Sequence, residues 1–131
     1  MRSVILLLTG LLVGALATFS ASNALRLRNA WPRGVMAVIQ HHFAALQNAQ
    51  RDKRCTADTL RPHLDMLAAI SADIEPAHPD AAQTPDFRTQ ARRFADTTQR
   101  LASAPPADCP ALDREVSALK DACNACHRDY R

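Results

Sequence analysis

Five residues near the end of the chain carry a recognisable chemistry: Cys123-Asn124-Ala125-Cys126-His127. Two thiols three positions apart share one face of a helix. From there they reach the two vinyl groups along one edge of a haem. The histidine lies next to the second thiol and one turn beyond the first, which holds its ring against the iron. The spacing is that of covalent c-type haem attachment. It implies one haem c, thioethers from Cys123 and Cys126, and His127 as an axial ligand. Three other uses of such residues fit the sequence less well. A thioredoxin-like CxxC needs a strand before it and a helix after it, yet only Arg128-Asp129-Tyr130-Arg131 follow. A zinc site needs four ligands, and His127 is too close to Cys126 for the usual paired spacing. A Cys123–Cys126 disulfide would strain a helix.

The elements that must position this motif are helical. Glycine and β-branched residues are scarce, while Ala, Leu, Arg, Asp and Gln are plentiful, a composition that favours helix. Four segments carry a helical apolar period. Segment A begins near Asn29–Pro32 and ends near Gln50, with Val35, Met36, Ile39, Phe43 and Leu46 on its apolar face. Pro32 suits a first turn, where its missing N–H has no partner. Segment B runs from about Asp58 to Ile74 on Leu60, Leu64, Leu67, Ile70 and Ile74. Pro62 is expected in its first turn, so a start near Thr59 is predicted. The stretch 75–79, with two prolines, is read as a loop.

Segment C opens on Thr84-Pro85-Asp86, an N-cap, a first-turn proline and a first-turn acid. Phe87, Ala91, Phe94, Thr98 and Leu101 mark its inner face, and Pro105-Pro106 ends it. Segment D opens on Asp108-Cys109-Pro110. Leu112, Val116, Leu119, Cys123 and Cys126 follow at steps of four, three, four and three, a seam that includes both haem cysteines. Four helices with short connections predict an all-α fold, an antiparallel four-helix bundle in which sequential helices are neighbours.

The first residues read differently. Arg2, an apolar run from Val4 to Phe19 and the small residues Ser22-Asn23-Ala24 have the form of a secretory signal cleaved after Ala24. The run of about 16 residues falls short of the roughly 20 that span a bilayer; the alternative is an uncleaved anchor. The expected division is therefore 1–24 signal peptide and 25–131 folded domain, exported to the periplasm and free of the membrane after cleavage. The net charge of +3 is small and loses Arg2 with the signal. With no basic run interleaved with aromatics, nucleic acid is not an expected partner. No Ser/His/Asp set or carboxylate pair stands out, so no enzymatic activity is expected.

A haem-attachment motif at the very end of a helical chain is distinctive. The stretch Leu119-Lys120-Asp121-Ala122-Cys123-Asn124-Ala125-Cys126-His127-Arg128-Asp129-Tyr130-Arg131 closely resembles the ending of the class II cytochromes, the cytochrome c′ and cytochrome c-556 family. Met36 and the run Gln40-His41-His42-Phe43-Ala44-Ala45-Leu46 are also similar to that family's first helix. The resemblance implies an up-down-up-down bundle with haem c at one end, its distal face covered by the first helix, and Met36 at the distal position. Members with Met there are six-coordinate, low-spin electron carriers with periplasmic redox partner proteins. Members with Leu or Phe there bind small gases such as nitric oxide to five-coordinate iron. The resemblance further implies a homodimer. The family commonly carries an arginine four residues before the distal position. Here Pro32 stands there, leaving Arg33 or Arg28 to reach a haem propionate.

Bundle geometry independently supports Met36. In an antiparallel bundle segment A starts where segment D ends, and at 1.5 Å per residue Met36 and His127 both lie about 6–10 Å from that end. A methionine on an apolar face is also a common core residue, and that reading stays open. His41 and His42 lie further along segment A and are read as surface or partly buried, His63 and His78 as solvated. In this topology Cys55, in the A–B connection, and Cys109, after the C–D connection, share the end opposite the haem. A Cys55–Cys109 disulfide is expected, worth about 4 kcal/mol on the chain-entropy model; the alternative is two unpaired thiols.

Overall fold

A computed structural model of the chain describes residues 2–130, apart from the side chain of Arg28. The chain divides into two units, the first ending at Arg33 and the second beginning at Gly34. Arg131 and the Arg28 side chain, the latter one of the two expected propionate contacts, lie outside the described residues.

The first unit is built on α1, Arg2–Arg28. Its described side chains are exposed. The apolar run is embedded in a longer helix because no proline interrupts Ser20–Leu27. Thr9 and Thr18 are absorbed by donating their hydroxyls one turn back, to the carbonyls of Ile5 (2.9 Å) and Gly14 (2.8 Å). The stretch Arg2–Leu27 is long and apolar enough to cross a membrane by length and composition, as N-terminal signal sequences also are. The 16-residue run therefore understates the length of this helix.

The second unit holds four long helices: α2 (Ala30–Arg51, whose first four residues belong to the first unit), α3 (Ala57–Ser71), α5 (Pro85–Ser103) and α6 (Cys109–Asp129). Between α3 and α5 lie a single turn, α4 (Ile74–Ala77), and a 3₁₀ turn at Ala81–Gln83. No strand occurs among the described residues. One core unites the four long helices, a composition consistent with a four-helix bundle. Val35, Ile39 and Leu46 come from α2, and Leu60, Leu64 and Leu67 from α3. Phe87, Ala91, Phe94 and Leu101 come from α5, and Leu112, Val116 and Leu119 from α6. These are the positions at steps of three and four that the apolar period selects. Burying each Leu or Phe contributes roughly 1.5–3 kcal/mol.

Polar contacts fix how the helices pair. Thr98 is wholly buried on α5, its hydroxyl 3.2 Å from that of Ser71 on α3 and 2.9 Å from the Ala95 carbonyl. Arg100 of α5 makes a bidentate pair with Glu115 of α6, at 3.2 and 2.9 Å. Gln50 of α2 donates to Asp113 of α6. The α2–α3 connection turns through Lys53, at φ 55°, where the Arg54 N–H reaches back to the Ala49 carbonyl at 2.8 Å and closes the helix end. The Cys55 and Cys109 sulfurs lie within bonding distance, with Cα atoms 5.1 Å apart and the two residues 54 positions apart in sequence.

Three local expectations need correction. Helix α3 starts at Ala57, not near Thr59, because the extended Thr56 offers its carbonyl to the N–H groups of Thr59 and Leu60. Pro62 therefore sits inside the helix rather than in its first turn. It is exposed, and the bond it omits is one to the Asp58 carbonyl on the solvent side. Segment B is not continuous to Ile74: the helix stops at Ser71, and Ile74 is buried from the separate turn α4. Pro76 falls in that turn's first residues, where N–H groups have no helical partner. Finally, Thr84 occupies the N-cap position of α5 but makes no side-chain cap. Its hydroxyl donates instead to the Ala81 carbonyl at 2.8 Å.

Candidate cofactor site

Helix α6 carries the motif, and its start is firmly set. The Asp108 carboxylate accepts from the Ala111 N–H at 2.7 Å, and Pro110 stands in the first turn. The seam then runs inward through Leu112, Val116 and Leu119, all buried, and continues through Cys123 and Cys126, which are half-buried. The apolar stripe outlasts the core. Where the core stops, a cavity of about 380 Å³ opens.

Its walls come from four elements. Met36, Ile39 and Phe43 project from α2, Ile74 from α4, Ala91 and Phe94 from α5, and Cys123, Cys126 and His127 from α6. Gln40, Gln90, Lys120, Ala122 and Asn124 complete the lining. The volume falls within the range of cofactor and ligand pockets. Met36 is half-buried and packs on the core, while His127 is exposed at residue level yet lies on the wall.

The far end of α6 is pinned. The Tyr130 hydroxyl donates to Asp86 at 3.0 Å, its ring meets that of Phe87 edge-on at 5.1 Å, and its N–H donates to the Cys126 carbonyl at 3.0 Å. The last turn, with His127 in it, is thereby held to the start of α5.

The two thiols suit covalent addition. Cys123 and Cys126 are free, not joined to each other. Burial pushes the Cys123 thiol up, and neighbouring Cys126 adds to this. Burial also raises Cys126, with further contributions from Asp129 and Asp86. When an S–H adds across a vinyl double bond, sulfur bonds to one carbon and the proton passes to the other. A low-pKa redox thiolate would need the opposite environment. Among the described residues no group of three or more His, Cys, Asp or Glu side chains could hold a bare metal ion, and no strand precedes the motif. The residues present fit a haem better than a zinc ion or a thioredoxin-like centre.

The other candidate residues fall elsewhere. Arg33, the remaining expected propionate contact, is exposed and ends the first unit. His41 is exposed and His42 half-buried, and neither lines the cavity. His63 and His78 are half-buried rather than solvated. His63 meets His42, Nδ1 to Nδ1, at 3.0 Å, and His78 Nδ1 lies 2.9 Å from the Ile74 carbonyl. Lys120 and Asn124 were missed as lining residues. Lys120 lies three positions before Cys123 and seven before His127, so its place on the motif's helix face was available in the spacing. Gln40 and Gln90 carried no such signal.

Comparison with known proteins agrees with this reading. No curated protein and no solved structure matches the chain significantly. A family model described as Cytochrome C' matches residues 30–131, which cover all four long helices and the cavity. The chain belongs to the cytochrome c′ family, whose members carry covalently bound haem c.

Proposed function

We propose that the protein is a periplasmic electron carrier with one haem c, attached through Cys123 and Cys126 and ligated by His127 and Met36. The observation that carries this reading is that Met36, Cys123, Cys126 and His127 all line one cavity. When bound, the haem supplies a one-electron Fe(III)/Fe(II) couple. Cys123 and Cys126 anchor one edge, and the Tyr130 clamp on α6 orients the His127 imidazole. A Met36 thioether is a soft, uncharged ligand that favours the reduced state and raises the potential. Ile39, Phe43, Ala91 and Phe94 exclude water from the apolar wall, which favours the state of lower net charge. Lys120 lines the cavity and supplies a cation for a propionate.

The reading includes an up-down-up-down bundle with the haem at one end, no enzymatic activity, and electron exchange with periplasmic partner proteins, the protein itself forming a homodimer. It also includes cleavage after Ala24, leaving residues 25–131, and a Cys55–Cys109 bridge kept by the oxidising compartment. The apolar α1 and the pairing of Cys55 with Cys109 support these points.

A second reading is favoured by membership of the cytochrome c′ family. In it His127 is the sole protein ligand, Met36 only lines the distal wall, and the haem binds nitric oxide or another small gas. Met36→Ala separates the two. Under electron transfer the variant turns from low-spin to high-spin ferric haem, and its potential falls. Under gas binding the variant and wild type share a high-spin, five-coordinate spectrum.

A further inference from the structure

His42 of α2 and His63 of α3 face each other with Nδ1 atoms 3.0 Å apart. Their ring centroids are 5.3 Å apart and the planes are inclined by 48°. Both side chains are half-buried, and neither lines the haem cavity. As a hydrogen bond the pair needs one ring as donor and the other as acceptor. The same spacing suits two neighbouring ligands on one ion. Bonds of about 2.05 Å at a tetrahedral angle set two nitrogens about 3.3 Å apart. Reaching that separation takes roughly 0.3 Å, within small rotations of the two rings. Imidazole nitrogen suits Zn²⁺, Cu²⁺ or Ni²⁺, not the oxygen-seeking Mg²⁺ or Ca²⁺.

We propose that His42 and His63 form a chelating site for a divalent transition-metal ion of the Zn²⁺ type, separate from the haem iron. Two protein ligands hold the ion and water fills its other positions, since among the described residues no third His, Cys, Asp or Glu converges there. His41, with its ring 5.0 Å from that of His42 and edge-on to it, stands outside the pair. The two ligands are 21 positions apart in sequence and meet only when α2 packs on α3. The ion therefore binds the folded state and stabilises it by mass action. Met36 is six residues from His42 on the same helix, about 9 Å along its axis, so the ion would steady the helix that forms the distal wall.

The test is calorimetric titration of Zn²⁺ into the untagged, haem-loaded protein, with thermal unfolding run alongside. One ion should bind per chain and raise the unfolding midpoint. His42→Ala and His63→Ala should each weaken binding at least about tenfold, since even the loss of an outer-shell partner costs that much, and should abolish the Zn²⁺-induced shift. His41→Ala and His78→Ala should bind as wild type does. If an alanine variant fails to fold, judged by its haem spectrum, His42→Gln and His63→Gln give the same readout. No binding by wild type, one ion shared between two chains, or undiminished binding by His63→Ala would each overturn the proposal.

Discussion

At the scale of residues, Cys123, Cys126 and His127 meet on one wall of the cavity. Burial raises the pKa of both thiols, and a helical turn brings them to one wall with the histidine. Cys123→Ser should leave a haem held by one thioether. The Cys123→Ser, Cys126→Ser double variant should yield protein from which acidified organic solvent extracts all the haem. Haem retained by the denatured double variant would show that the attachment lies elsewhere. That these three residues share one wall was legible in the sequence because they fall within about one turn of a helix. The distal wall was legible only in part. Met36 could be matched by its distance from the bundle end, but Phe43 and Phe94 read as ordinary core. Their role depends on where the core stops, which no single helix's pattern reveals.

At the scale of elements, the seams of all four long helices were readable, because burial follows the three-and-four spacing at Leu60, Leu64 and Leu67 as it does at Leu112, Val116 and Leu119. The break after Ser71 was not, because Ile74 keeps the apolar period while the backbone leaves the helix. Pro62 falls beyond the first turn because the helix starts about two residues earlier than its proline suggests, on the Thr56 carbonyl. The His42–His63 contact was also illegible, since it depends on how α2 and α3 are rotated against each other. It has a pH consequence. Burial lowers the His42 pKa from its usual 6.5, and His41 and then His63 add to this. The unfolded chain therefore takes up a proton first as pH falls. The contribution to stability is complete above about 6.5 and is lost as pH drops through the lower, folded-state value. With a chelator present, urea midpoints should fall between pH 7.5 and pH 5.5, and His42→Gln should flatten part of that slope. A wild-type midpoint that rises toward acid would contradict this.

For the whole molecule, one small core is shared by the four long helices, and the cavity opens where that core stops. The proposed Cys55–Cys109 bridge would span 54 positions and restrain the unfolded chain. Replacing both cysteines by alanine should lower the unfolding free energy by about 2–4 kcal/mol without altering the haem spectrum. Two reactive thiols in the non-reduced wild type would contradict the bridge. The family and the haem fix what the molecule carries, and the sixth iron position decides what it is for. The most direct measurement is the ferric absorption spectrum of the purified wild-type protein at neutral pH. Electron transfer through Met36 and His127 predicts a low-spin, six-coordinate spectrum. A high-spin, five-coordinate spectrum would contradict it and assign the haem to gas binding.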